Sequence, residues 1–185
     1  MKFLFTIFTF LAASFAVADS WPLPSEMASA SPNSKYVVRV VPPELNSGKE
    51  PVAVLYTFDG ISYLESSSFS LKNEIAPVFI LITNKGYLFT FDNWHEMGHG
   101  EHVVAIYSPN GELEKTYTLK QLYSDSDYEK VILNRSVSSI RWRCSNSRPW
   151  THYNSVFVRD TIGGSFVFNL KGSFSYSSEG GCEKR

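Results

Sequence analysis

Apolar and polar positions alternate over short runs along this chain, and turn residues close the runs. Residues 78–83 and 87–91 are rich in β-branched and aromatic side chains and flank Asn84-Lys85-Gly86, which predicts a hairpin. Val103-Val104-Ala105-Ile106-Tyr107 then runs into Pro109-Asn110-Gly111, a second hairpin turn, and residues 113–119 supply a fourth strand. Helix is a minority element. It is expected over 127–133 after Ser126, where Ser126-Asp127-Tyr128-Glu129 has capping-box spacing, and as a short turn over 119–123. Residues 21–32 carry proline and small side chains and read as an extended lead-in.

The pattern repeats. A shift of 51 residues brings Asn33 onto Asn84, Tyr36 onto Tyr87, Val52 onto Val103, Tyr56 onto Tyr107 and Gly60 onto Gly111. A fainter third copy places Ile140-Arg141-Trp142-Arg143 on the first matched strand and Val156-Phe157-Val158 on the second, ending in Gly163-Gly164. Each copy closes on one phrase: Phe69-Ser70-Leu71-Lys72, Tyr117-Thr118-Leu119-Lys120 and Phe168-Asn169-Leu170-Lys171. The expected fold is all-β, with about three antiparallel sheet repeats near 33–72, 78–120 and 137–171 and one or two short helices.

The unit 78–119, with four strand candidates, has the make-up of a propeller blade. The phrases Ser31-Pro32-Asn33-Ser34-Lys35-Tyr36-Val37 and Tyr107-Ser108-Pro109-Asn110-Gly111-Glu112-Leu113 resemble those of β-propeller repeats of the quinoprotein and WD-like kind, without the Trp-Asp ending of a WD repeat. Thr90-Phe91-Asp92-Asn93-Trp94-His95 followed by 103–107 is similar to uncharacterised exported bacterial proteins, a similarity that implies no activity. Closed propellers have roughly four to eight blades, so three copies leave several arrangements open: an open stack of sheets, a sandwich or barrel, or a partial ring completed by another chain.

Composition adds a compartment. Met1-Lys2, an apolar run over 3–17 and the triplet Ala16-Val17-Ala18 have the three parts of a secretory signal peptide, residues 1–18, leaving 19–185 as a single β-repeat domain that is secreted or periplasmic. The apolar run is shorter than the roughly 20 residues of a membrane span, so no span is expected in the mature chain. A net charge of −1, with no block of Lys or Arg, argues against a nucleic-acid partner. Cys144 and Cys182 are expected to pair in an oxidising compartment. Asn134-Arg135-Ser136 is an N-glycosylation sequon, relevant to a eukaryotic secretory host.

Candidate chemistry gathers in the loops. His95-Glu96-Met97-Gly98-His99 spells H-E-x-x-H, whose zinc chemistry needs both imidazoles on one helical face. Here the motif falls between strands, with Gly98 and Gly100 disfavouring helix. His102 and Ala105 stand where the extended metzincin pattern wants Gly and His. The repeat aligns the loops 42–51, 93–102 and 145–155, which predicts one shared edge bearing Trp94, His95, His99, His102, Arg148, Trp150, His152 and Tyr153, with Glu96 and Glu101 beside them. His95, His99 and His102 are the candidate metal ligands, with zinc the candidate ion, and no other cofactor is indicated. Asp59, Asp92 and Asp160 end matched strands, where turn formation is the expected role. The reading is a non-enzymatic binding or scaffold module that engages a protein or small ligand through its loop edge; the competing class is a metal-dependent hydrolase built on the histidine loop.

Overall fold

A computed structural model describes residues 21–182, so the expected signal peptide lies outside the described residues. Twelve strands among the described residues form three four-stranded antiparallel sheets. The first contains β1 (Met27–Ala30), β2 (Tyr36–Val41), β3 (Val52–Phe58) and β4 (Tyr63–Ser70) in that order. The second contains β5 (Pro77–Ile82), β6 (Leu88–Asn93), β7 (Val104–Tyr107) and β8 (Leu113–Tyr117). The third contains β9 (Trp150–His152), β10 (Ser155–Arg159), β11 (Ser165–Asn169) and β12 (Phe174–Ser177). Each sheet is a meander of neighbouring strands, the cheapest way to pair a chain that turns every few residues.

The second sheet is the middle layer. Every residue of β6 and β7 is buried, because each face meets a different neighbour. Leu88, Ala105, Tyr107, Ile80 and Ile82 pack on Val38, Val40, Ala53 and Leu55 of the first sheet. Phe89, Phe91, Val104 and Ile106 pack on Val156, Val158, Phe166 and Phe168 of the third. The outer sheets instead alternate: β10 reads half-buried then buried along its length, the period-two signature of a strand covered on one face.

Both inter-sheet contacts use the same device. A Cβ on Gly111, in the β7–β8 turn, would stand 2.4 Å from the Phe69 ring at the end of β4. One on Gly172, in the β11–β12 turn, would stand 2.4 Å from Lys115 Cβ on β8. In each case the fourth strand of one sheet fits against a turn glycine of the next, and a side chain there would push the layers apart. Polar links follow the same route: Ser67 donates to the Pro109 carbonyl (2.8 Å) and the Tyr117 hydroxyl donates to the Gly172 carbonyl (2.7 Å).

Between the second and third sheets lie α1 (Leu119–Leu122), α2 (Asp125–Val131) and a 3-10 turn (Ile132–Asn134). Thr118 and Gln121 form a capping box on α1. The second helix begins two residues before the sequence expectation, because Ser124 rather than Ser126 accepts the Asp127 N–H as cap. Leu119, Leu122, Tyr123 and Val131 extend the core shared with the third sheet.

Three further expectations are corrected. The lead-in 21–32 contains an edge strand, β1, paired with β2. The third repeat is out of phase by one strand: residues 140–143 make isolated bridges, and the third sheet begins at Trp150, inside the segment expected to be a loop. In consequence Ser155-Val156-Phe157-Val158-Arg159-Asp160 is the counterpart of Tyr87-Leu88-Phe89-Thr90-Phe91-Asp92, and Phe168-Asn169-Leu170-Lys171 closes the third strand of its sheet, not the fourth. Alternating apolar strands resemble one another, so a slip of one strand left the pattern intact.

Cys144 and Cys182 are joined, with Cα atoms 5.4 Å apart, and no free cysteine is found among the described residues. Among those residues no helix is long and apolar enough to cross a membrane. The bridge closes a separation of 38 residues that includes the whole third sheet. Thiol titration of the denatured, non-reduced protein should therefore find no free thiol, and reduction should lower the unfolding free energy by about 4 kcal/mol in urea titrations.

Candidate functional site

The expected loop edge exists for two of the three loops. Residues 42–51 follow β2 and residues 94–103 follow β6. Just past the end of the first sheet Lys72 donates to Glu50 of the first loop (2.9 Å), and its neighbour Asn73 donates to the Asp92 carbonyl and Asn93 Oδ1 at the start of the second, both at 3.0 Å. The third sheet contributes its β10–β11 turn, residues 160–164, and the segment 140–146 folded across it.

Trp150, His152 and Tyr153 are elsewhere. Tyr153 occupies the tight β9–β10 turn at φ +51°, at the opposite end of β10 from Asp160. Its neighbour Asn154 shares a groove there with Lys85 and Tyr87. The His152 and Tyr153 rings are in contact (4.4 Å), while Trp150 lies stacked on Phe157 (5.3 Å, 15°) on the outward face of the third sheet. The single expected surface thus divides into two. Trp94, His95, His99 and His102 stay on the loop edge, and Arg148 is exposed in the segment between Cys144 and β9.

The H-E-x-x-H run is a chain of turns. His95, Gly98 and Gly100 have φ of +73°, +76° and +80°, left-handed values that no α-helix contains. Hydrogen bonds from Glu96 N to the Asn93 carbonyl and from His99 N to the Glu96 carbonyl close successive turns. Gly98 is fixed by packing as well, since a Cβ there would stand 2.7 Å from the Ile140 carbonyl oxygen. Among the described residues no three His, Cys, Asp or Glu side chains are grouped to hold a metal, so His95, His99 and His102 do not form the ligand set considered from sequence. Trp94 and His95 hold the incoming chain: the Trp94 indole donates to the Pro22 carbonyl (2.9 Å), and the His95 ring lies between Trp94 and Trp21 (5.5 and 6.5 Å).

Below this loop sits the charged centre of the edge. Asp92 is fully buried at φ +60°, a conformation Asp tolerates better than most residues. Its carboxylate accepts from the Gly98 N–H (3.0 Å), the Trp142 indole (2.7 Å) and Arg143 Nε (2.8 Å). Asp160, its counterpart in the third sheet, accepts from the N–H groups of Ile162 and Gly164 and from the Tyr176 hydroxyl. Burial and this carboxylate raise the Tyr176 pKa above the usual phenol value. The expected turn role of these aspartates holds in part: Asp59 caps its turn through Ile61 N and Ser62 N, whereas Asp92 and Asp160 also tie distant segments together.

Beside this network opens a cleft of about 380 Å³ lined by Met97, Arg141, Arg143, Ser145, Asn146, Thr161 and Cys182. Arg141 and Thr161 also line an adjoining groove with Asn134 and Arg135. Thr161 anchors the rim by donating to the Arg141 carbonyl (2.9 Å). Asp92 is ion-paired with Arg143 and Asp160 is engaged by its own donors, so the cationic group the cleft lining adds beyond that buried pair is Arg141. The alternation Arg141-Trp142-Arg143 carried the signal for it, with the indole turned into the core and both arginines in the lining of the cleft.

At the far side of the histidine loop His102 is half-buried and its Nδ1 lies 2.9 Å from Thr116 Oγ1. Burial, chiefly, holds its imidazole pKa below the usual 6.5. The unfolded chain therefore takes up a proton that the folded chain resists. This contribution to stability is complete above about pH 6.5 and is lost as the pH falls through 6.5 toward the folded-state value. Urea midpoints should drop between about pH 7.5 and pH 5.5, and His102→Gln should flatten that drop. Asp92→Ala should cost roughly 3–5 kcal/mol in the same assay, because it strands a buried guanidinium, an indole N–H and a backbone N–H. No model of a known protein family and no curated protein matches this chain, so its function is argued from the edge itself.

Proposed function

We propose that this is an exported, non-enzymatic binding module that takes small organic carboxylates in the arginine-lined cleft of its loop edge. One observation carries the reading: Arg141 and Arg143 line one cleft together with Ser145, Thr161, Met97 and Cys182 of the disulfide. Guanidinium supplies paired N–H donors to a carboxylate, and Met97 suits a short hydrocarbon arm. Export is supported by the signal-peptide pattern and by the Cys144–Cys182 bridge, which suits an oxidising compartment. A propeller-like origin is supported by three four-stranded meanders that meet through equivalent turn glycines. The metal-dependent hydrolase reading draws no support from the histidine loop, where left-handed residues deny the motif its shared helical face.

Calorimetric titration of the mature protein with hexanoate, acetate and hexylamine tests the ligand class. Hexanoate should bind more tightly than acetate, hexylamine should not bind, and Arg141→Gln should weaken hexanoate at least tenfold while Glu96→Gln leaves it unchanged. Equal binding of hexanoate and hexylamine, or full binding by Arg141→Gln, would overturn the assignment. Chelator-sensitive peptide hydrolysis by the zinc-loaded parent, lost in Glu96→Gln, would establish the hydrolase instead.

A further inference from the structure

Each sheet has a backward face, turned toward the preceding sheet in the chain, and a forward face, turned toward the next. Val38 and Val40 of β2 look forward, as do their counterparts Phe89 and Phe91 of β6. Leu88 of β6 and Val156 of β10 look backward. By the same register the forward face of the third sheet bears Trp150, Phe157 and Val167 with Arg159 laid over Trp150, and the backward face of the first bears Val37, Val54 and Tyr56 with Arg39, which is paired with Glu26. Among the described residues no sheet covers either face, although Val52, Phe58 and Trp150 are 36%, 40% and 37% exposed.

The glycine device supplies an independent sign. Gly111 and Gly172 each receive the fourth strand of the preceding sheet. Their counterpart in the first sheet is Gly60, in the β3–β4 turn at φ +110°, and nothing lies within 4 Å of the place where its Cβ would be. Around that empty place Ile61 and Leu64 are 92% and 56% exposed. Among the described residues the first sheet therefore carries a receiving glycine with no donor, and the third carries a fourth strand with no receiver.

We propose that two copies of this chain associate reciprocally, the forward face of each third sheet docking on the backward face of the other copy's first sheet. The β12 strand of one copy then meets Gly60 of the other, as β4 meets Gly111 and β8 meets Gly172 within the chain. Both interfaces are identical and continue an existing packing mode, and six sheets fall within the range of about four to eight found in closed rings. The exposed apolar side chains of both faces, Val52, Phe58 and Trp150 among them, are buried in one step.

Light scattering of the mature protein, with Val54→Asp in the backward face and Phe157→Asp in the forward face, tests this. The parent should be a dimer at micromolar concentration, and each variant alone should raise the dissociation constant at least 100-fold while its circular dichroism stays that of the parent. Mixing the two variants restores one intact interface, so the mixture should contain dimer that neither variant forms alone. A monomeric parent at 100 micromolar would overturn the proposal, as would a dimer insensitive to either variant. Failure of the mixture to recover dimer would show a like-to-like interface, and open-ended growth of the parent would show that the ring does not close; either result also overturns it.

Discussion

The Asp92 carboxylate is the point through which the second sheet, the histidine loop and the third sheet are fixed to one another. It lies at the end of β6, fully buried, and takes three donors from two segments: Gly98 in the loop, and Trp142 and Arg143 side by side in the segment 140–146. A buried carboxylate is tolerable only when such donors replace water, so β6, the loop and the segment 140–146 have little freedom to rearrange separately. That requirement accounts for the left-handed backbone at Asp92 and for the course of the loop that follows. The cleft inherits its geometry from the same network, because Arg143 is held by its Nε while its head borders the opening.

The three sheets are held by two kinds of force that act at different depths. Apolar packing between faces supplies most of the cohesion, and the contacts of Phe89, Phe166 and Phe168 make the second interface more aromatic than the valine-rich first one. Turn glycines and short polar links at the rims then set how closely the layers approach. Tyr107 joins both: its ring is in the core, its hydroxyl accepts from Lys72 N at 2.8 Å, and burial pushes its pKa up to about 12. Near the disulfide, the carbonyl oxygen of Asp160 lies 3.2 Å and 3.1 Å from the two sulfur atoms, so the bridge, the buried aspartate and the cleft wall form one compact unit.

This construction separates tasks by position. The loop edge carries charge, hydrogen-bonded turns and the cleft, whereas the outer sheet faces carry apolar side chains in strand register beside Arg39 and Arg159. Trp150 shows the division: sequence placed it with the histidines, and the fold places it on the outward face under Arg159, whose guanidinium stands 5.5 Å over its ring.

By itself the sequence determined the all-β class, nearly every strand of the second sheet and the pairing of Cys144 with Cys182. These rest on local properties: period-two alternation, Asn-Lys-Gly and Pro-Asn-Gly turns, and a count of two cysteines. It also showed that His95-Glu96-Met97-Gly98-His99 is no helix, since the glycines are visible locally. Tertiary structure alone decided the phase of the third sheet, because Ile140-Arg141-Trp142-Arg143 alternates as a strand should and was prevented only by its commitments to Asp92, Met97 and Asn134. It also decided which charged residues meet. Arg141, Thr161 and Met97 are far apart in sequence, and no spacing rule brings them to one cleft; the folding of 140–146 across the β10–β11 turn does.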